Sequence, residues 1–103
     1  PRGGIRGPRG PRGQGVKILF RASFLRDLKK IRDPAILATT KAAIEEAEQA
    51  GSLDQIPHLR KLSGAAGFYR VRVGDYRIGL VAGDEGLECV RFLHRRDIYR
   101  YFP

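Results

Sequence analysis

The chain has little sulfur chemistry to offer: of its 103 residues one is a cysteine, Cys89. An intrachain disulfide is therefore impossible. Cys89 stands in an apolar run and reads as a small buried thiol. A chain with no disulfide framework fits the cytoplasm, which is the expected compartment. Long apolar runs are also missing. No stretch approaches the ~20 residues of a membrane span, and none resembles the apolar core of a secretory signal. No membrane partner is expected. No His, Cys and carboxylate residues cluster with ligand spacing, and Asp27 and Asp33 are separated by a helix, so no metal is expected. Gly83 and Gly86 belong to a turn rather than to a strand–glycine-loop–helix unit, so no nucleotide cofactor is expected either.

Large apolar residues are nearly absent from one end. Residues 1–15 hold six glycines, three prolines, four arginines and a single isoleucine. Such a segment cannot bury enough surface to offset the entropy of ordering it, and it reads as a flexible Gly/Pro/Arg tail. Residues 16–103 are long enough for one domain with a small core. The formal charge is +9. The tail contributes four basic residues and no acids, so residues 16–103 carry 16 basic and 11 acidic groups, a balance of +5. A positive field on so small a domain suits a polyanion or an acidic protein partner.

Within 16–103 the pattern is that of an α+β domain. Val16 to Phe20 is a short β-rich run. Ser23 is placed to cap a helix over about 23–31, in which Phe24, Leu28 and Ile31 recur at i, i+4 and i+7. Asp33-Pro34 restarts the chain as a second helix, a capping side chain followed by proline at the first helical position. Ile36, Leu37, Thr40, Ile44 and Ala47 form its apolar stripe; Lys41, Glu45, Glu46 and Glu48 fall on the wet side, and Gly51 ends it. The brief link implies an antiparallel helical hairpin facing a sheet. Residues 52–65 read as a loop pinned to the core by Leu53, Ile56, Leu59 and Leu62. Strict alternation then marks strands at Phe68–Val73, Tyr76–Ala82 and Leu87–Leu93. The terminus from His94 to Phe102 is a short helix or an extended end. The expected fold is thus an N-terminal strand and an antiparallel helical hairpin packed on a small, mainly antiparallel sheet.

Gly74-Asp75 suits a two-residue type II′ hairpin turn. Val73 then lies opposite Tyr76, and Tyr69, Val71, Val73, Tyr76, Ile78 and Leu80 share an apolar face that meets the helices. The other face receives Phe68, Arg70, Arg72, Arg77, Gly79 and Val81. Arg72 and Arg77 become direct cross-strand neighbours, and like charges so placed destabilise a sheet unless something satisfies them. Either the arginines are solvated beside Asp75, Asp84, Glu88 or a partner's acids, or they bind phosphate. Three guanidiniums converging on one face favour phosphate, which the rigid guanidinium fork holds well.

Cleaving RNA without a metal requires a 2′-hydroxyl aligned on the adjacent phosphate, stabilisation of the pentavalent transition state, and proton transfer at both ends. The arginines supply the second element. For proton transfer the candidates are His94, just after the last strand, and Tyr99, which could also stack on a base or simply pack. The other reading of His94 is a structural or merely exposed histidine. His58 lies in the loop before the sheet and is a weaker candidate. Tyr69 and Tyr76 point to the core.

Three segments carry a resemblance to a known family: Leu59-Arg60-Lys61-Leu62-Ser63-Gly64, then Phe68-Tyr69-Arg70-Val71-Arg72-Val73-Gly74-Asp75-Tyr76-Arg77-Ile78, then His94-Arg95-Arg96-Asp97-Ile98-Tyr99-Arg100. With the order of strand, helical hairpin and sheet strands, they make residues 16–103 similar to the RelE/ParE superfamily of bacterial toxins. The RelE-like branch implies a ribosome-dependent endoribonuclease acting on messenger RNA in the ribosomal A site, with a cognate antitoxin that wraps the toxin. Carried over by position, the catalytic set becomes Arg70, Arg72, Arg77, His94, Arg95 and Tyr99. Arg60, Lys61 and Arg96 become RNA-binding residues. The best-known pattern has lysines where this chain has Arg70 and Arg72. A lysine can lose a proton; an arginine effectively cannot, so the general base would be His94, Tyr99 or a group of the ribosomal RNA. The ParE-like branch shares the scaffold, acts on DNA gyrase and lacks the ribonuclease set; a non-catalytic RNA-binding member is the third reading.

Overall fold

A computed structural model describes residues 16–64 and 66–103. The expected tail lies outside the described residues. The elements run β1 (Ile18–Phe20), α1 (Ala22–Lys29), α2 (Pro34–Gln49), a 3₁₀ turn (Leu53–Gln55), β2 (Leu59–Lys61), β3 (Phe68–Val73), β4 (Tyr76–Ala82), β5 (Leu87–His94) and α3 (Ile98–Tyr101). The sheet order is β1-β5-β4-β3-β2, with β1 parallel to β5 and every other pair antiparallel. The helical hairpin and small mainly antiparallel sheet are as the pattern implied.

The α2 start follows the local signal. The Asp33 side chain accepts from Ala35 N at 2.9 Å, and Pro34 occupies the first helical position. The buried Thr40 is satisfied by donating to Ile36 O at 2.7 Å. The helix ends at Gln49, two residues before Gly51.

The α1 start does not follow the expected signal. Arg21 is the capping position and has no side-chain cap, while Ser23 lies inside the first turn and its hydroxyl donates to Val90 O at 2.5 Å. The reason is the edge of β5. Pairing with β1 stops at Phe20–Cys89, which leaves the next backbone groups of β5 without a strand partner. Helix α1 takes over this edge. Ser23 satisfies Val90 O, and the Asp27 carboxylate accepts from Phe92 N at 3.0 Å. Asp27 also receives the Arg91 guanidinium, from Nε at 2.7 Å and Nη2 at 3.2 Å. Asp27 is 6% exposed, and burying an ionised carboxylate requires such a set of donors.

The segment 52–65 was expected as a loop, and it contains β2. Three residues carry no periodicity of their own; β2 exists because β3 offers an edge, with Leu59, Arg60 and Lys61 opposite Val71, Arg70 and Tyr69. Of the four pinning residues, Ile56 is buried and Leu53 and Leu59 pack against the core, while Leu62, one residue past β2, is half-buried outside that cluster.

The core lies between the hairpin and one face of the sheet. Val71, Val73, Ile78, Leu80, Leu87, Cys89 and Phe92 from the strands meet Phe24, Ala47 and Ile56. Phe24 meets Phe92 edge-on, and Phe92 stacks on Tyr76 at 5.1 Å between centroids. Cys89 sits in this core, and burial, with Glu48 adding its charge, pushes its thiol up to about 12. Only the thiolate reacts, so native protein at pH 8 is expected to take up a thiol reagent on the order of 10³-fold more slowly than the urea-unfolded chain. A colorimetric thiol assay in both states checks this.

Candidate nucleic-acid interface

The β3–β4 hairpin has the register that alternation predicts. Arg72 is opposite Arg77, Val73 opposite Tyr76, Arg70 opposite Gly79 and Phe68 opposite Val81. Gly74 has φ +59, the left-handed value that the first turn position of a type II′ turn requires. Val71, Val73, Ile78 and Leu80 are buried beneath the helices, so Arg70, Arg72 and Arg77 stand on the opposite face. The strand unseen in the sequence adds Arg60, whose register partner is Arg70.

Part of that opposite face is covered from the chain end. Ile98 is 0% exposed and Phe102 is 3% exposed. The Phe102 ring meets Phe68 edge-on at 5.7 Å and lies over Gly79, where a Cβ would come within 2.7 Å of it. A glycine at this point of β4 is what lets α3 lie against the sheet. Tyr99 and Tyr101 project from α3 with more than half of their surface exposed.

The basic residues form two neighbouring groups. In the first, His58, Leu59, Arg60, Lys61, Arg70 and Arg72 line a groove of about 640 Å³. Arg70 Nη1 donates to His58 O at 3.2 Å, and Arg72 Nη2 stands 3.4 Å from His58 Nδ1. The second group gathers at the β3–β4 turn. Arg77 Nη1 donates to Gly74 O and Tyr76 O, each at 2.9 Å. Arg95 N donates to Asp75 O at 2.7 Å, and its guanidinium stands 3.7 Å from the exposed Asp75 carboxylate. The cross-strand pair Arg72–Arg77 joins the two groups. Among the described residues, Arg60, Arg70, Arg72 and Arg77 form no ion pair with a carboxylate. Arg60 and Arg72 are exposed and Arg70 and Arg77 half-buried, and cations not neutralised by acids keep their charge for an anionic ligand.

Two expected site residues lie elsewhere. His94 is the register partner of Tyr76, and its ring meets the Tyr76 ring edge-on at 5.5 Å, on the helix side of the sheet. Arg96 goes with it, donating from its backbone N to His94 Nδ1 at 3.2 Å. The structure therefore brings together Arg60, Lys61, Arg70 and Arg72, and beside them Arg77 and Arg95. Tyr99 extends from the helix that crosses this face, and His94 and Arg96 are set apart from it. His58 is the reverse case, a loop residue in sequence that becomes part of the groove. Only the pairing of β2 with β3 brings it there. Among the described residues no three His, Cys, Asp or Glu side chains gather as a metal site, and no helix is long and apolar enough to cross a membrane.

The chain is similar to known proteins in sequence and fold. The family model of the ParE toxin of type II toxin–antitoxin systems matches residues 18–99. Toxin RelE3 of Methanocaldococcus jannaschii is 38% identical over 89 residues, which covers 85% of this chain and 100% of the relative. Among solved structures, the RelB–RelE antitoxin–toxin complex from Methanococcus jannaschii contains a chain that is 38% identical with a TM-score of 0.68, covering 82% of this chain and 99% of that one. A chain of the toxin–antitoxin complex RelBE2 from Mycobacterium tuberculosis is 31% identical with a TM-score of 0.55, covering 76% and 95%. The YoeB dimer from Staphylococcus aureus, at 20% identity and a TM-score of 0.62, covers 75% and 93% and shares the fold. With the family model spanning most of the sequence and a relative matched along its whole length, the chain belongs to the RelE/ParE superfamily of type II toxins.

Proposed function

We propose that the protein is the toxin of a type II toxin–antitoxin pair and acts in the cytoplasm as a ribosome-dependent endoribonuclease, cutting messenger RNA in the ribosomal A site without a metal. The observation that carries this reading is the arginine face of β3 and β4, where Arg70 and Arg77 meet carbonyl oxygens, Arg72 meets the His58 ring, and none of the three pairs with a carboxylate. In the reaction, the 2′-oxygen attacks the adjacent phosphorus, the bond from phosphorus to the 5′-oxygen breaks, and a cyclic phosphate and a free 5′-hydroxyl result. A proton leaves the 2′-oxygen and another reaches the 5′-oxygen. Arg70, Arg72, Arg77 and Arg95 hold the scissile phosphate and stabilise its developing charge; they keep their own protons throughout. Arg60 and Lys61 bind flanking phosphates. Tyr99, on the helix that crosses this face, orients or protonates. His94 stands on the other face beside Tyr76, so Tyr99 is the stronger proton-transfer candidate.

The partner in this reading is an antitoxin, as in the RelB–RelE and RelBE2 complexes. An apolar hollow of about 370 Å³ between α1 and α2, with Phe20, Leu25 and Leu37 exposed on it, suits an amphipathic segment of that partner. The matching ParE family description favours a second reading, inhibition of DNA gyrase. Inducing the protein in cells, mapping RNA 5′ ends and assaying DNA breaks in parallel separates the two. The ribonuclease reading expects new messenger ends inside coding regions. DNA breaks without them would replace it with the gyrase reading.

A further inference from the structure

We infer that His58 is a positioning residue of the arginine groove, holding Arg72 through its ring and Arg70 through its main-chain carbonyl. The inference rests on the ribonuclease reading for its catalytic consequence and on the His58 contacts alone for its structural content. A guanidinium donates and cannot accept. The 3.4 Å approach of Arg72 Nη2 to His58 Nδ1 is thus a hydrogen bond in the tautomer that carries its ring proton on Nε2. The carbonyl of the same residue accepts from Arg70 Nη1 at 3.2 Å. One residue thus ties together two cationic side chains that project in the same direction from β3.

The backbone is shaped for this. Among the described residues, His58 is the one residue other than glycine with positive φ, at +64. A side chain in that region costs on the order of 1 kcal/mol or more and persists only where the surroundings hold it. Here it sits directly before β2, between the buried Ile56 and the first paired residue, Leu59. His58 also lines a second hollow against α2 with Arg72, Glu46 and Asp75, so it forms the wall between the arginine groove and the outer side of the helix. Four cations, Arg60, Lys61, Arg70 and Arg72, face it from the groove, and two carboxylates, Glu46 and Asp75, face it from the hollow.

Holding two guanidiniums in place before substrate arrives acts on the transition state more than on encounter, because long-range attraction to RNA depends on charge and not on side-chain aim. Three proteins test this: wild type, His58→Gly and His58→Asn. Glycine accepts φ +64 without strain and keeps the carbonyl, so the fold and the Arg70 contact persist and only the ring is lost. Asparagine tolerates the same backbone and offers an oxygen near the position of Nδ1. With ribosomes and messenger, His58→Gly is expected to lower kcat about 10-fold with KM within two-fold, and His58→Asn to recover most of the loss. Imidazole nitrogen NMR of the wild-type protein is expected to show Nδ1 unprotonated, with its signal moving in Arg72→Ala. Wild-type kcat in His58→Gly, or an Nδ1–H tautomer indifferent to Arg72, would overturn the inference. If the wild-type protein cuts no RNA, the ribonuclease reading fails by itself, and the NMR result still decides whether His58 holds Arg72.

Discussion

Arg77→Ala is expected to lower messenger cleavage by about 10²–10³-fold while the domain stays folded. Arg77 is the link between the two basic groups, opposite Arg72 in register and bonded into the turn that also binds Arg95. Removing it deletes a donor fork from between the two basic groups, the place where the proposed reading puts the scissile phosphate. The structural cost is small. Of the two carbonyls it satisfies, Gly74 O lies in the exposed turn and Tyr76 O in the half-buried first residue of β4, so the loss costs about 1 kcal/mol. Arg77→Lys keeps the charge and loses the fork, and intermediate activity is expected. Primer extension on messenger incubated with purified ribosomes, beside a thermal melt, checks both halves. Cleavage at the wild-type rate in Arg77→Ala would remove this face from the chemistry.

Asp27→Ala carries the largest expected loss of stability, about 3 kcal/mol. Its carboxylate is the hub of the β5 edge, accepting from Phe92 N, Arg91 Nε and Arg91 Nη2. Alanine leaves a buried backbone N–H without an acceptor and strips the Arg91 guanidinium of its counter-ion. For a domain of this size, such a loss corresponds to a fall of roughly 12–24 °C in melting midpoint. Asp27→Asn keeps an acceptor for Phe92 N while removing the charge, and should fall between alanine and wild type. Urea titrations of the three proteins at one pH measure the order. Equal midpoints for Asp27→Ala and wild type would mean that α1 does not secure β5.

Both effects concern residues whose position the sequence made visible to different degrees. Arg77 is placed on its face by the sequence alone, because alternation from Phe68 to Ala82 and one glycine at the turn leave a single register in which the apolar residues share a side. The Asp33-Pro34 start of α2 is legible for the same reason: the capping group and the residue it caps are two apart in the chain. Asp27 gave no such signal. It sits on the inner side of a short helix, and its partners Arg91 and Phe92 are 64 and 65 residues away. Ser23 reads as a cap because a serine at a helix start has a local use, whereas its acceptor in the fold, Val90 O, is 67 residues distant. Likewise nothing local announces β2, and without β2 there is no reason to bring His58 to the groove.

The division has one physical cause. Side-chain period, turn conformation and helix capping act over a few residues, so strands β3 and β4, their hairpin, helix α2 and the common face of Arg70, Arg72 and Arg77 were written in the chain itself. Pairing of short strands, covering of free strand edges and docking of Phe102, just past α3, over Gly79 depend on which surfaces meet after collapse. Those contacts decided that Arg60 and His58 join the arginines, that Tyr99 rides on a helix crossing their face, and that His94 turns to the other side of the sheet.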